Sequence, residues 1–488
     1  MGSGRRKGGC RRRMGMGTIS SAFSLISGAL DADQSALSIV ANNVANVNTP
    51  GYTEEVPNWQ ENLPVTINGV SYGAGVTETG ATSMRDRVLE DRLDQQQQLA
   101  SASSARLTAL NSVQALFTPD SGSSTAAAGD IGSDITSFFS SFSSLESDPT
   151  NVSLREEVLS SAKVMAGDVS NAAASLNSQS SALAQQASGV TSQVNSLTTS
   201  IAQLNQQIET TSPNADAGTL EDQRQQDLSQ LSQLVGINQV TTENNGLSVT
   251  TTSGQVLVDE GTSFQMTSGS VAGATHFFVG STDVTQQLAS GGGQLGGTLT
   301  ALTQDIPNAL TSLDQVAYGI STSVNALNNA GTNLDGETGS VAVPIDIFSQ
   351  PTVVAGSAAA MSVVMTDPNQ IAAAALGLGT GDNSNASAMA NLAKQSIVNG
   401  QTPTNFYSSF VSTLGATVSG VQAENTAENA SVTQLQSRNN ALSGVNLNDE
   451  AAVMSKMESS YQAASQVFTM LNTIIAAALN LGDQTTVA

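Results

Sequence analysis

The sequence predicts an elongated, multidomain α+β protein with a terminal α-helical coiled coil, a long helical-bundle domain and β-rich inserted outer domains. Three observations support this prediction. The 488 residues exceed one ordinary domain. Apolar residues recur at alternating steps of three and four near both ends and over about 60 residues between them. Stretches rich in Gly, Thr and Val, which alternate with period two, interrupt these helical patterns.

The composition favours a surface that packs against similar surfaces. Charged residues make up only 11% of the chain, against about 25% in typical soluble proteins, so Ser, Thr, Asn, Gln and Gly supply most polar groups. The net charge is -24, which disfavours binding to nucleic acid or to an anionic membrane. No apolar run in the sequence approaches the roughly 20 residues of a membrane span.

The basic start, MGSGRRKGGCRRR, contrasts with the acidic remainder. One interpretation is a disordered, non-native leader over residues 1–16, with Met14 or Met16 as the native start. The other is an arm that binds nucleic acid or membrane. The absence of aromatic residues and of a second basic patch favours the leader.

Residues for catalysis or for binding metals are scarce. Cys10 is the one cysteine and His276 the one histidine, and His276 lies in an apolar, strand-like run. The glycine-rich SGGGQLGG, residues 290–297, lacks the Gly-Lys-Ser/Thr of a phosphate loop, so it indicates a flexible connection from strand to helix. NLDGETG, residues 333–339, lacks the acidic ladder of a calcium loop and indicates a turn. We therefore expect no catalytic residues, no metal and no cofactor.

Two apolar stripes at the chain ends have the spacing of coiled-coil seams. They lie in an N-terminal segment, residues 17–55, and a C-terminal segment, residues 445–488. The alternative is that each stripe packs on a local core, but two terminal stripes favour pairing with each other. Asn448, Asp449 and Glu450 are expected to cap the second helix. The expected seam residues are Phe23, Ile26, Leu30, Leu37, Val40 and Val44 on the first stripe, with Asp33 at its polar position, and Met454, Met457, Tyr461, Ala464, Phe468, Leu471 and Ile475 on the second.

The interior divides by its periodicity. Residues 56–235 are predicted as the first part of a helical rod domain, with helices over 84–117, about 60 residues from 153, and 220–236. A hairpin around Asn244, Asn245 and Gly246 begins a β-rich insert over 236–290. A helical segment over 291–330, a second β-rich insert over 331–385 with strands at 340–366, and the last part of the rod domain over 386–444 follow.

The stretch ANNVANVNTPGYT, residues 41–53, places asparagines beside an apolar helical stripe. Asparagine is a mediocre helix former, so its repetition here needs a reason other than helix formation. A simple cap and turn would explain only the later part of the stretch. Pro50 and Gly51 suit the central positions of a type II turn. The signature residues are Asn42, Asn43, Asn46, Asn48, Thr49, Pro50, Gly51 and Tyr52.

This signature resembles the N-terminal motif of the bacterial flagellar axial proteins, the family of rod, hook and hook-filament junction proteins. The resemblance implies that the asparagine amides face other subunits in an assembly. SGVNLNDEAAVMSKMESSYQAASQVFTMLNTIIAAAL resembles the family's C-terminal segment. Three interior stretches, LEDQRQQDLSQLSQLVGINQV, GGGQLGGTLTAL and NFYSSFVSTLGATVSGVQAE, are similar to the junction branch, the FlgK family. Residues 331–385 resemble it weakly.

The resemblance implies a structural adaptor that is exported through the flagellar channel without a cleaved signal peptide and assembled outside the cell between hook and filament. It implies four partners: the hook protein, a second junction protein of the FlgL type, copies of the same chain in a helical layer, and an export chaperone of the FlgN type on the C-terminal helix. The alternatives are another axial structural protein and a secreted enzyme on a flagellar scaffold. The scarcity of His and Cys disfavours the enzyme.

Overall fold

The protein is described by a computed structural model that covers residues 16–67, 70–117, 130–212, 216–340 and 342–483. The leader, apart from Met16, and most of the loop predicted at residues 117–130 lie outside the described residues. Within the described residues, long helices combine with small antiparallel sheets. The predicted α+β fold class is therefore confirmed.

The first helix is followed by a turn and an antiparallel β-ribbon. Pairing joins β1 to β4 and β2 to β3, and residues 55–83 are called the β-arm below. The sequence places this stretch in the helical rod domain, whereas the structure forms strands here. Two prolines, Pro57 and Pro64, and a register shift between Pro57 and Trp59 hide the strand period in the sequence. The elements are α1 (Met16–Asn46), β1 (Glu55–Glu61), β2 (Val65–Ile67), β3 (Val70–Tyr72) and β4 (Val76–Ser83).

Four helices build the first part of the body. Asp86 caps α2 by accepting hydrogen bonds from the amides of Val88 and Leu89, both at 3.1 Å. The helix α4 is unbroken over 60 residues, which corresponds to about 90 Å at 1.5 Å per residue. This confirms the predicted long helix. The four are α2 (Arg87–Ala115), α3 (Ile131–Ser147), α4 (Val152–Thr211) and α5 (Thr219–Leu234).

Two small sheets follow α5. The predicted hairpin is confirmed, because β5 and β6 pair antiparallel across residues 242–246. Asn245 has a φ of 60° there, a conformation that asparagine tolerates better than most residues. One sheet has the order β5-β6-β7-β8 and the other β11-β10-β9. The strands are β5 (Ile237–Thr241), β6 (Leu247–Thr251), β7 (Val256–Asp259), β8 (Thr262–Ser263), β9 (Met266–Val271), β10 (Ala274–Val279) and β11 (Thr282–Asp283).

The glycine-rich stretch does more than connect a strand to a helix. Gly292 and Gly293 have φ values of 94° and 70°, which favour glycine, and most of the stretch lies inside a helix. A Cβ on Gly297 would lie 2.0 Å from the carbonyl oxygen of Ala102, so only glycine lets this helix cross α2 so closely. The elements are α6 (Thr285–Ala289), α7 (Gly293–Thr300), a π-helical segment (Ala301–Asp305) and α8 (Ile306–Ala330).

The segment after α8 is largely irregular, and the prediction of strands over 340–366 is wrong. Two short strands, β12 (Gly331–Thr332) and β13 (Ala374–Ala375), pair with each other. Within 340–366, the described residues hold one isolated bridge, Phe348 to Val363.

Amide side chains of α8 hold this segment in place of a strand ladder. Asn325 donates to the carbonyl of Phe348 at 2.8 Å and accepts from the amides of Ile347 and Phe348, both at 3.0 Å. Asn328 accepts from the amide of Ala372 at 2.8 Å. The backbone groups of an irregular, buried segment are thereby satisfied.

Two long helices and one short helix end the described chain. They are α9 (Ser384–Asn391), α10 (Pro403–Ser443) and α11 (Leu447–Asp483). Asn446, rather than the predicted Asn448, caps α11, because its side chain accepts from the amide of Asn448 at 3.0 Å. The helix starts two residues earlier than predicted, which places Asn448 inside its first turn.

The helix α4 joins two hydrophobic cores. Its first half packs with α3, α8, α9 and α10 around the rings of Phe138, Phe142 and Phe348. Its second half packs against α5, α7 and the two sheets, around Leu231, Leu257 and similar side chains. One rigid helix thus carries both cores.

Candidate assembly interface

The two terminal helices pair antiparallel within one chain. At one end, the ring centroids of Phe23 and Phe468 lie 4.8 Å apart. At the other end, the amide of Asn43 donates to the carboxylate of Glu450 at 2.7 Å. The pair therefore brings together positions 407 residues apart in the sequence.

The predicted seam positions lie mostly on the covered faces of these helices. On α1, Ile26 and Val40 are buried and Phe23, Leu30, Leu37 and Val44 are half-buried. Within the predicted seam of α11, Tyr461 is the exposed residue, and its amphipathic ring leaves the hydroxyl in water. Met457 is buried, and half-buried seam residues are Met454, Ala464, Phe468, Leu471 and Ile475.

The seam of α1 also holds a buried acid. Asp33 is 9% exposed, and its Oδ2 has no hydrogen-bond partner among the described residues. A polar residue at a single seam position weakens a helix pair but fixes its register.

A second face of α1 packs against the β-arm. Ala32, Ala36 and Asn43 of α1 are also buried, and the predicted seam does not contain them. The backbone of Gly75 lies against the side chain of Leu25. The helix α1 therefore has α11 on one flank and the arm on another.

The asparagine signature forms hydrogen bonds within the chain. Asn46 donates to the carbonyl of Asn42 at 3.0 Å and accepts from the hydroxyl of Thr49 at 3.1 Å. The amide of Tyr52 donates to the carbonyl of Thr49 at 3.2 Å. Gly51 has a φ of 80°, as the third residue of a type II turn requires. The turn is as predicted.

Among the signature residues, Asn43 differs most from the prediction that these amides face other subunits. It is 1% exposed, donates to the carbonyl of Glu55 at 2.9 Å and to Glu450, and accepts from the amide of Glu55 at 3.1 Å and from the hydroxyl of Tyr52 at 2.8 Å. All its capacity is used inside the chain, so it is not free for a neighbouring subunit. Asn43, Tyr52, Glu55 and Glu450 are called the joint cluster below.

The joint cluster connects to the body through backbone contacts. The amide of Glu54 donates to the carbonyl of Ser443 at 2.9 Å, and the hydroxyl of Ser443 donates to the carbonyl of Met84 at 2.9 Å. The amide of Thr53 donates to Asp222 of α5 at 3.3 Å. The end of α10, the start of α2 and the turn after α1 thus meet at one place.

A buried set of charges lies beside this meeting point. Arg85 pairs with Asp222 and lies 3.8 Å from Glu90. Burial raises the pKa of Glu90 to about 7, against the opposing effect of Arg85. Burial also raises the pKa of Asp94 to about 7, although Gln225 and Gln239 donate to its carboxylate. Sequence reasoning missed these groups, since single acids on a helix carry no distinguishing spacing.

The acids of the joint cluster also have raised pKa values. Burial raises the pKa of Glu450 and, with help from Asp222, that of Glu55. Burial and the nearby Glu55 carboxylate raise the pKa of Tyr52. The region around the joint cluster therefore disfavours negative charge.

The described residues contain few candidates for catalysis or for binding a metal. His276 lies on β10, 2.6 Å from the carboxylate of Asp283, and the hydroxyl of Thr285 donates to Asp283 rather than to the imidazole. In NLDGETG, the amide of Glu337 donates to Asn333 at 2.7 Å, as in a turn. No group of three or more His, Cys, Asp or Glu suited to a metal occurs among the described residues. Within the same part of the chain, no helix has the length and apolar character needed to cross a membrane.

Comparison with known proteins shows where this arrangement recurs. Residues 120–348 match the family model of the flagellar hook-associated protein FlgK helical domain, and residues 26–53 match that of the flagella basal body rod protein. Flagellar hook-associated protein 1 of Bacillus subtilis (strain 168) is 26% identical over 503 residues, which cover 93% of this chain and 96% of that protein.

Two further relatives are similar. Flagellar hook-associated protein 1 of Salmonella typhimurium (strain LT2) is 25% identical over 321 residues, 64% of this chain. The chain spans 57% of the length of that relative. The flagellar hook junction protein FlgK from Burkholderia pseudomallei shares the fold, with a TM-score of 0.61 and 18% identity over 71% of this chain and 99% of that one.

The match at α1 to a rod protein, the paired terminal helices and the long helical body are similar to those of an axial structural protein of the bacterial flagellum. The helical body and the relatives indicate the branch. In both respects the chain is similar to the flagellar hook-associated protein FlgK.

Proposed function

We propose that this protein is a non-enzymatic structural adaptor that joins the flagellar hook to the filament. The observation that carries the proposal is the antiparallel pair of α1 and α11, fixed to the helical body by the joint cluster. Such a pair places one narrow helical unit at the end of a rigid body. The relatives named as hook-associated proteins support the same role.

The adaptor contacts different partners at its two ends along the assembly axis. One end meets subunits of the hook protein, and the other meets a second junction protein of the FlgL type. Copies of the chain lie side by side in one helical layer. Contacts of this kind are heterologous, since the two surfaces that meet are not the same, and they build rings or helices rather than closed dimers.

The apolar seam of α11 is also the surface that an export chaperone of the FlgN type covers before secretion. Met457 and Phe468 are covered by α1 in the folded chain, so a chaperone reaches them only while the two helices are apart. We propose that the chain is exported through the flagellar channel without a cleaved signal peptide and functions outside the cell.

The test is electron microscopy of isolated hooks mixed with the labelled chain. Label is expected at the distal tip of each hook. The matched control is Phe468→Asp, which places a carboxylate against the ring of Phe23 and should separate α1 from α11. Because α11 lies outside both cores, this variant should keep the helical body but lose tip binding.

Two outcomes would refute the adaptor role. Label along the hook or at its base would indicate a different axial position. Equal tip binding by Phe468→Asp would mean that the terminal helix pair is not the contact.

A further inference from the structure

The β-arm carries apolar side chains that the described residues leave exposed. Leu63 is 90% exposed, Val70 53%, Tyr72 52% and Trp59 42%. The outer part of the arm, β2 and β3, is an isolated two-stranded sheet. Such a hairpin is marginally stable in water by itself, so this one gains from a covering surface.

The helix α11 has a second apolar stripe beside its seam. Counting from Val453, the positions advance by alternating steps of three and four, as in the seam itself, but displaced by one residue. All seven side chains are exposed, and Met470 and Ile474 are more than half exposed. The stripe consists of Val453, Lys456, Ser460, Ala463, Val467, Met470 and Ile474.

The apolar parts of the two surfaces lie at similar distances from the joint cluster, measured along the helix pair. Leu63 follows Glu55 by eight residues, about 26 Å along a strand. Met470 follows Glu450 by twenty residues, about 30 Å along a helix. Both run in the same direction, because the far end of β1 lies near Leu25 and the far end of α11 near Phe23.

Their charges are complementary as well. Residues 55–83 contain acids but no Lys or Arg, and Lys456 is the one basic residue of α11. Lys456 is exposed and forms no ion pair with the described residues. Along α11, Lys456 lies about 9 Å from Glu450. Glu78 pairs with Trp59 in the sheet, so it lies about 13 Å from Glu55 along the strand direction.

We propose that the β-arm of one copy docks on the exposed stripe of α11 of the next copy, with Glu78 facing Lys456 and Leu63 facing Met470. Each copy carries both surfaces on different flanks of α1, so the contact repeats from copy to copy around the layer. The inference rests on the proposed function, and it names the surfaces through which copies in that layer meet.

Disulfide crosslinking tests the apolar part of the contact. In a Cys10→Ser background, Leu63→Cys with Met470→Cys should give a ladder of crosslinked copies once the chain is assembled on hook tips and oxidised. Leu63→Cys paired with Val240→Cys is the control, since Val240 is equally accessible but lies on β5 in the body, and it should give none. Chains that assemble at the tip yet stay uncrosslinked, or that crosslink to hook subunits, would overturn the inference alone. Failure to assemble at the tip would overturn the proposed function and the inference together.

Charge exchange tests the polar part. Lys456→Glu and Glu78→Lys should each lower incorporation about tenfold, because like charges then meet, and the double variant should restore it. No ion pair joins these two residues within one chain among those described, so restoration reports a contact between copies. A double variant as poor as either single variant would contradict the pairing.

Discussion

Replacing Asn43 by alanine should loosen the joint cluster more than any exposed asparagine of the signature would. The substitution removes four hydrogen bonds, one of them to the carboxylate of Glu450. A bond to a charged group contributes about 2 kcal/mol and a neutral one about 1 kcal/mol. Allowing for partial relaxation, we expect a loss of about 4 kcal/mol in the local free energy of unfolding, which is about a thousandfold in the opening equilibrium.

The assay uses the one tryptophan of the chain. Trp59 lies on β1, four residues from Glu55, so its fluorescence during urea titration reports the arm and the joint cluster. Asn42→Ala is the matched control, because Asn42 is exposed and its side chain forms only two hydrogen bonds with the described residues, donating to the Tyr52 hydroxyl at 3.4 Å and accepting from the side-chain amide of Asn46 at 2.9 Å. Equal shifts of the Trp59 transition in Asn43→Ala and Asn42→Ala would refute the reasoning.

Four other substitutions test the packing and charge of the body. Gly297→Ala should destabilise it by about 2 kcal/mol, since the new Cβ meets a backbone carbonyl of α2, whereas Gly189→Ala, with open space in α4, should stabilise by up to about 1 kcal/mol; urea denaturation compares them. The pKa of Asp94 is about 7 when folded and about 4 when unfolded, so the folded state binds the extra proton and stability falls as pH rises from about 4 to about 7. Asp94→Asn should remove up to about 4 kcal/mol of that fall in denaturation curves across this range, and an unchanged pH slope would contradict it. Arg155→Met should lower stability by about 3 kcal/mol, because it leaves unpaired the buried carbonyls of Pro149 and Ile371, to which the guanidinium donates; an unchanged melting temperature would disprove this.

Helices with long apolar repeats could be predicted from the sequence. The repeat from Val169 to Ile208 has one polar interruption, Ser180, and the structure places it in one helix. Periodicity of that length outweighs local propensity. The seams of the terminal helices were predictable for the same reason, although their role between copies stays a prediction.

Segments held by single side chains could not be predicted. Nothing in the local sequence of residues 340–366 says that Asn325 and Asn328 of a distant helix will satisfy their backbone. The apolar alternation there therefore looked like strands. Likewise, Asn43 has a hydrogen-bond partner 407 residues away, so its role within the chain could not be predicted from the neighbouring sequence.

The β-arm did carry a signal that was available. Asn68 and Gly69 stand between VTI and VSY, and Asn-Gly between short alternating apolar runs is a strong indication of a hairpin. The strands β2 and β3 flank that dipeptide. Pro57 inside β1 and Pro64 after it obscure the longer ribbon to which the hairpin belongs.

The distance in sequence between Asn43 and Glu450 sets the order in which the molecule can fold. Closing a loop of 407 residues in an unfolded chain costs about 5 kcal/mol of entropy. Once α2 and α10 have packed, Met84 and Ser443 already touch, so only the short tethers beside them remain to be closed. The helical body therefore folds before α1 and α11 pair. Pairing of the terminal helices thus indicates that the body has already folded.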